Sequence, residues 1–509
     1  MSSKEKIIEV MDTTLRDGEQ TPGVSFNAKE KLAIAKMLIE NLKVDRIEVT
    51  SARVSEKEKG AVKDICAWAE KNGCLGRIEI LGFADRNQSV DWITETGCRV
   101  INILAKGSLK HLKVQLRKEP KDHINDIEQT IAYAASKNIS ANIYLEDWSN
   151  GMKDSPDYVY LLLDNLTRNR NIKRILLPDT LGVLLPEEVR QFISDLCKRY
   201  PKTHFDFHAH NDYSLAVANS IAAAEAGARG IHVTVNSLGE RAGNAPICDT
   251  AIALRDLCED IDTGIDERYL KTLSSLVSTF SGKKVSSNKP VVGDDIFTQT
   301  AGIHADGDKK GNLYANKIDP QRFGREREYA LGKLSGMSSL EMNLRKAGIE
   351  LSDNDKKQVF RKIIELGDRK KRITHADLPY IVADVLETEI KEKIKITGLD
   401  ISVSLGKKQK ASFTLRYNGT EVCARGEGDG GYDAFMEGLK KIAPELGIHL
   451  PKLVDYEVYI PPGGKTDALV ETIIIWEKDN NIFKTIGVNS DQILAAIEAT
   501  EKMLNMMYR

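Results

Sequence analysis

Apolar positions change their period along this 509-residue chain. Over roughly the first 260 residues, short β-rich runs alternate with stretches in which apolar side chains recur at helical spacing. The runs are 7–14, 45–51, 77–83, 100–104, 140–146, 174–179, 204–210 and 230–235. Between the first two, Leu32, Ala35, Ile39 and Leu42 fall on one face of an amphipathic helix. Strands alternating with helices imply parallel βαβ units, and about eight of them close a (β/α)₈ barrel. A doubly wound open sheet is the weaker rival, because LRDGEQ follows the first run where a Gly-rich fingerprint would stand.

Past Leu257 the pattern loosens. Residues 282–335 are rich in Gly, Lys and Asp and read as an irregular linker, followed by helices at 353–366 and 378–385. From about Ile394, the strand-like runs ISVSL, ASFTLRY, TEVCARGEG and ALVETIIIW, with two helices, predict a separate α+β module. The expected division is a catalytic barrel over 1–282, mostly helical linker subdomains over 283–391 and the α+β module over 392–509. No short-period repeat or low-complexity tract is evident.

Composition narrows the class. With 73 Lys+Arg against 75 Asp+Glu and a net charge of −2, the chain lacks the electrostatic footprint of a nucleic-acid binder. No apolar stretch approaches the roughly 18 residues of a membrane span, and MSSKEKIIEV lacks a signal-peptide core. Seven scattered cysteines without a C-x-x-C pair predict a reduced, cytoplasmic protein with no cysteine-based zinc site. PPGGKT lacks the first glycine of a P-loop, since Tyr459 stands there, and GEGDGGYDAF lacks dinucleotide spacing and reads as a tight turn.

Chemistry in such a barrel belongs at the C-terminal ends of the strands, and here those ends are polar. They carry Arg16 and Asp17, Tyr144 and Glu146, Asp179 and Thr180, the segment 208–212, and Asn236 to Asn244. His208 and His210 are two apart in a strand, so both imidazoles can face one ion, with Asp17 as the carboxylate. Two His and a carboxylate leave open positions, the pattern of a catalytic divalent-metal site. The competing reading is a set of satisfied polar residues beside a cleft. Arg16 is either a fixed cation for a carbonyl oxygen gaining charge or half of a structural pair with Asp17. Glu146 is a general base or a structural acceptor, Thr180 a substrate ligand or a strand cap, and Glu240–Arg241 reads as a structural ion pair.

LRDGEQTPG (15–23), HAHNDYSLAVANSIAAAEAG (208–227) and NSLGERAGNAP (236–246) resemble signatures of the α-isopropylmalate, homocitrate and citramalate synthases, the Claisen-condensing DRE-TIM metallolyases. The resemblance runs end to end, through AGIHADGDKKGNLY (301–314) and a C-terminal part similar to the family's regulatory domain. INILAKGSLKHL, with Leu104 and Lys106-Gly107-Ser108, stands where isopropylmalate synthases carry a His-Thr-Phe-type stretch, so the chain is most similar to the bacterial (R)-citramalate-forming members. Two positions depart from the family: NSLGERAGN replaces the commoner NGxGERAGN, and Leu334 stands where many relatives have His.

The resemblance implies an acyltransferase that condenses acetyl-CoA with pyruvate, giving citramalate and CoA on the pyruvate route to isoleucine. It implies a divalent ion (Zn²⁺, Mn²⁺ or Mg²⁺) on Asp17, His208, His210 and Asn244, chelating pyruvate and polarising its carbonyl. Arg16 would stabilise the alkoxide, Thr180 would hold the substrate carboxylate, and Leu81, Leu104 and Tyr144 would narrow the pocket around a methyl group. His304 and Tyr314, with Glu146 assisting, match the residues that deprotonate acetyl-CoA; His304 would reach a neighbouring protomer's site in a homodimer. Tyr432, Asp433, Leu453, Tyr456, Ile460 and Val470 would form an inhibitory pocket for an aliphatic amino acid, isoleucine first, or else simply pack the core and dimer. The alternatives are 2-isopropylmalate synthesis from 2-oxoisovalerate, a retro-aldol lyase or metal hydrolase on the same barrel, and a non-enzymatic amino-acid-binding protein.

Overall fold

The computed structural model describes residues 6–300, 307, 311, 313, 316–368, 373, 377–386, 393–459, 470–478 and 481–508. They fall into two compact units, Met1–Phe297 with Ala315–Glu326, and Thr298–Tyr314 with Arg327–Arg509.

The first unit is a closed barrel of eight parallel strands in chain order. They are β1 Glu9–Asp12, β2 Arg46–Ser51, β3 Ile78–Phe83, β4 Val100–Lys106, β5 Ser140–Glu146, β6 Ile172–Asp179, β7 Phe205–Ala209 and β8 Gly230–Val233. Each coincides with one of the runs read from the sequence, and each is followed by a helix. Those helices are α1 Ala28–Lys36, α2 Glu56–Lys71, α3 Gln88–Thr96, α4 Pro120–Ser136, α5 Pro156–Leu166, α6 Pro186–Arg199, α7 Ala216–Ala226 and α8 Ile247–Leu257. Their starts follow local chemistry: Asn27 and Glu30 form a capping box on α1, and prolines open α4, α5 and α6, where a missing N–H costs nothing. The buried face of α1 and the turn after it is Lys31, Ile34, Ala35, Leu38, Ile39 and Leu42; Leu32, expected on that face, lies at its margin.

Alternation within the strands builds two different layers. Ile80, Ile101, Ile103, Ile143, Leu145 and Phe207 belong to the apolar core shared with the helices. Their strand neighbours are polar and bond one another across the barrel interior. Asn102 Nδ2 donates to Glu48 at 2.7 Å, and Asn142 Nδ2 donates to Asn102 at 2.8 Å and to Glu79 at 3.3 Å. Arg46 Nη1 donates to Glu79 at 3.1 Å and its Nη2 to Asp206, which meets His232 Nε2 at 3.1 Å. His232 Nδ1 lies 3.0 Å from the Tyr144 hydroxyl at the mouth. Buried polar groups are costly unless paired, and this ring pairs most of its members, Asn142 Oδ1 excepted.

In the second unit, helices α9 Met337–Ala347, α10 Asp353–Asp368 and α11 Leu378–Val385 share a small core of Leu340, Leu344, Val359, Ile363 and Leu378. Beyond them lie two antiparallel three-stranded sheets, each followed by a helix. The first half is β9 Ile394–Ser402, β10 Gln409–Tyr417, β11 Thr420–Gly428 and α12 Gly431–Ile442. The second is β12 Lys452–Tyr459, β13 Val470–Lys478, β14 Asn481–Asn489 and α13 Gln492–Met507. The halves form a repeat: β13, β14 and α13 start sixty-one residues after β10, β11 and α12. A Cβ on Gly426 would collide with the carbonyl of Ala434, and one on Gly487 with that of Ala495, so the same glycine lets helix meet sheet in both halves. The period is too long for a search at short range. Two expectations change here. The run ISVSL contributes only Ile401 and Ser402 to β9, with Val403 and Leu405 exposed beyond it, and GEGDGGYDAF is a strand end running into α12 instead of an isolated turn.

Among the described residues no helix is long and apolar enough to cross a membrane, and none of the seven cysteines is in a disulfide.

Candidate active site at the barrel mouth

The turn after β1 brings Arg16 and Asp17 over the barrel opening, with the Asp17 amide donating to the carbonyl of Thr13 at 2.8 Å. His208 is the penultimate residue of β7, and His210, just beyond the strand, forms an isolated bridge with Asn244. Donor atoms of Asp17, His208 and His210 all lie within 4.8 Å of one another, and all three residues are buried. His208 Nε2 is 3.4 Å from Asp17 Oδ2, and the two imidazole centroids are 5.1 Å apart. Asp17 Oδ1, His208 Nδ1, His210 Nδ1 and Asn244 Oδ1 are each buried without a hydrogen-bond partner. Other buried polar atoms also lack partners, among them Asn142 Oδ1 and Thr250 Oγ1, but only here among the described residues do three such residues, Asp17, His208 and His210, converge, so the donor set fits a divalent cation.

Electrostatics suit that fit. Burial would push the Asp17 carboxyl up, but the Arg16 guanidinium and His208 overcome it and hold it well below the usual carboxylate range. Burial pushes both imidazoles down, His210 to about 4, leaving neutral rings with lone pairs to give.

Asn244 owes its place to the loop before it. Asn236, Ser237 and Arg241 take left-handed backbone, with φ of 55°, 61° and 54°. Gly243, at φ 81°, passes so close to the Ser237 carbonyl that no Cβ would fit. The departure from NGxGERAGN therefore falls at a position that favours glycine. Ser237 offsets the strain by donating from Oγ to the Asn244 carbonyl at 2.5 Å.

Arg16 is pinned on three sides, by Asp17 at 2.7 Å, by Glu48 and by the Tyr144 hydroxyl at 3.4 Å. Leu81 and Tyr144 pack with Met11 and Leu176, and Leu104 lies against them, so the three expected pocket residues do meet. The sequence reading missed Met11 and Leu176, whose inward strand positions were the available signal, and also Glu48 and His232. The Thr180 hydroxyl accepts from the Asp147 amide at 2.9 Å, and Arg241 Nη2 donates to the Thr180 carbonyl at 2.7 Å. Arg241 takes Asp212 as its main partner, at 2.8 and 3.0 Å, with Glu240 farther off at 3.6 Å. Glu146 pairs with Lys106. A cavity of about 1100 Å³ opens beside Arg16, walled also by Glu19, Gln20, Asn27, Thr50 and Ser55. His304, Tyr314 and Ile460 lie outside the described residues.

In the second unit a cavity of about 670 Å³ is lined by Tyr432, Asp433, Leu453 and Tyr456, with Met436 and Ile493. The Tyr432 hydroxyl is 2.7 Å from Thr500 Oγ1, and its ring centroid lies 5.3 Å from that of Tyr456. Val470 is buried at the start of β13 and is not in the cavity's wall.

A (β/α)₈ barrel with an Asp-His-His cluster at its C-terminal mouth defines a class of metal-site barrel enzymes. Within that class, the HMGL-like family model matches residues 7–277. The homocitrate synthase post-HMGL domain-like model matches 291–371, and the LeuA allosteric (dimerisation) domain matches 372–508. An (R)-citramalate synthase of Methanocaldococcus jannaschii is 34% identical over 506 residues, 98% of this chain and 99% of that protein. A 2-isopropylmalate synthase of the same organism is 33% identical over 506 residues, 98% of this chain and 94% of that protein. The crystal structure of hydroxymethylglutaryl-CoA lyase from Pseudomonas aeruginosa aligns with 58% of this chain and 98% of its own, at 19% identity and a TM-score of 0.49. The chain belongs to the citramalate, homocitrate and isopropylmalate synthase family of acyltransferase-type condensing enzymes.

Proposed function

We propose that the chain is an (R)-citramalate synthase, condensing acetyl-CoA with pyruvate. Identities of 34% and 33% to relatives of both names do not separate pyruvate from 2-oxoisovalerate. The observation that carries the reading is the apolar cluster of Met11, Leu81, Leu104, Tyr144 and Leu176 beside Arg16. Such a floor suits a methyl group and crowds an isopropyl branch. Because one methylene changes binding by only about 1–3 kcal/mol, exclusion by shape has to do the sorting.

Asp17, His208, His210 and Asn244 would hold a divalent cation, Zn²⁺, Mn²⁺ or Mg²⁺, which when bound supplies Lewis acidity toward the acceptor carbonyl. Arg16, fixed by Asp17, Glu48 and Tyr144, offers a preorganised cation to the oxygen that gains charge. The Thr180 oxygen accepts from Asp147, which leaves its proton free to donate to the substrate carboxylate. His304 and Tyr314, with Glu146 assisting, would take the proton from the acetyl methyl group; that carbon bonds to the keto carbon, and water then releases CoA.

The same reading assigns 1–282 to catalysis, 283–391 to the linker and 392–509 to regulation, in a cytoplasmic homodimer. The cavity at Tyr432, Asp433, Leu453 and Tyr456 would take an aliphatic amino acid, isoleucine first, with Ile460 and Val470 as further expected contacts. The match of 372–508 to an allosteric (dimerisation) domain supports both the pocket and the dimer. CoA release from acetyl-CoA, measured with a panel of 2-keto acids, tests the proposal. It predicts turnover with pyruvate; no release with any keto acid would end it.

A further inference from the structure

The mouth holds a buried cation to which the chemistry above assigns nothing. Lys106 ends β4 and is the register partner of Glu146, which ends β5, two positions above the Leu104–Tyr144 pair. Strand alternation therefore places both charged side chains on the inner face, over the pocket floor. Their pairing is direct. The ammonium side is 8% exposed and the carboxylate side 24%, so the cation stands behind a carboxylate that looks into the opening.

The two strand ends are clamped from behind. The Lys106 amide donates to His123 Nε2 at 3.0 Å, and its carbonyl accepts from the Tyr158 hydroxyl at 2.9 Å. Gly107 donates to the Glu146 carbonyl at 2.6 Å, and a Cβ at Gly107 would press into the backbone of Leu145. Asp147 follows Glu146 with φ 63°, a conformation non-glycine residues hold only when neighbours enforce it. Its carboxylate accepts from Ser108 Oγ at 2.6 Å and Asn150 Nδ2 at 2.7 Å. A fixed backbone on both strands with one ion pair at its tip is a device for aiming a side chain.

We propose that Lys106 is a positioning residue: its ammonium holds the Glu146 carboxylate in the orientation from which it handles the proton of the acyl donor. The inference rests on the reading of Glu146 as a residue that assists this proton transfer. On this assignment the loss of Lys106 acts through Glu146 and not through a contact with the substrate.

A double-mutant cycle on the full-length, metal-loaded enzyme tests this, with Lys106→Met, Glu146→Gln and the pair. Glu146→Gln is expected to lower kcat about 100-fold, the lower range for loss of a general base. Lys106→Met should lower kcat about 10-fold with the keto-acid KM within about twofold, and Lys106→Arg should recover part of the loss, as expected for removing and restoring an orienting charge. In the Glu146→Gln background Lys106→Met should change kcat less than twofold. An equal loss in both backgrounds, or none in either, overturns the proposal. If Glu146→Gln alone keeps full kcat, the reading of Glu146 fails, and any remaining Lys106 effect then belongs to another role. Thermal unfolding of each variant reports folding, and Lys106→Gln replaces Lys106→Met in the cycle if the latter does not fold.

Discussion

At the residue scale, strain and burial sit beside the candidate ligands. Ser237 keeps left-handed backbone at φ 61°, a cost of about 1–2 kcal/mol, and recovers part of it through its bond to the Asn244 carbonyl. Ser237→Gly should therefore leave stability within about 1 kcal/mol of wild type, while Ser237→Ala keeps the strain, loses the bond and should cost about 1–2 kcal/mol. Denaturant unfolding of the two variants separates these outcomes. Asp12, buried at the end of β1, has its carboxyl pushed up to about 7 by burial, against bonds from the amide and hydroxyl of Thr14. A raised carboxyl is protonated in the fold while the unfolded chain has already ionised. Its stabilising share is thus full below about pH 4 and is lost as pH rises toward 7, at up to about 1.4 kcal/mol per pH unit. Asp12→Asn should flatten that part of the stability–pH curve; an unchanged slope between pH 5 and 7 would show that another group sets it.

At the scale of elements, glycine marks where backbone must come close and where it need not. Gly487 in β14 lies against Ala495 of α13, so Gly487→Ala overpacks the contact and should cost about 1–3 kcal/mol. Gly60 sits inside α2 with open space at its Cβ and ordinary φ, so Gly60→Ala should stabilise by about 0.5–1 kcal/mol. Thermal scans should show shifts of opposite sign. The barrel strands were legible in the sequence because Ile80, Ile101 and Ile143 face helices while Glu79, Asn102 and Asn142 face inward, which yields short β-rich runs. Two strands of the C-terminal module were not. β12 (KLVDYEVY) has a register shift between Leu453 and Asp455, and β14 (NIFKTIGVN) is interrupted by Gly487, so neither keeps a clean period of two. The candidate cluster of Asp17, His208 and His210 was legible from H-x-H spacing. The inner ring of Glu48, His232 and Asp206 was not, since no local spacing reveals partners that meet only when the barrel closes.

On the scale of the whole molecule, the barrel interior is not electrically balanced. Arg16 and Arg46 face Asp17, Glu48, Glu79 and Asp206, two cations against four carboxylates, while burial holds His208 and His232 toward the neutral form. A divalent cation at the mouth would cancel the excess. Binding to the folded state alone, at 100 times its Kd, adds about 2.7 kcal/mol. Chelation should therefore lower the barrel's unfolding temperature by several degrees, with Zn²⁺ or Mn²⁺ restoring it; an unchanged transition would remove the site from the account. The central claim is narrower: one apolar floor, built by Leu81, Leu104, Tyr144, Met11 and Leu176, chooses the acyl acceptor. The most direct measurement is the ratio of kcat/KM for pyruvate and 2-oxoisovalerate in CoA release by the metal-loaded enzyme. A preference for pyruvate of about 100-fold or more is expected, beyond what one methylene supplies. Turnover of 2-oxoisovalerate as good as or better than that of pyruvate would contradict it.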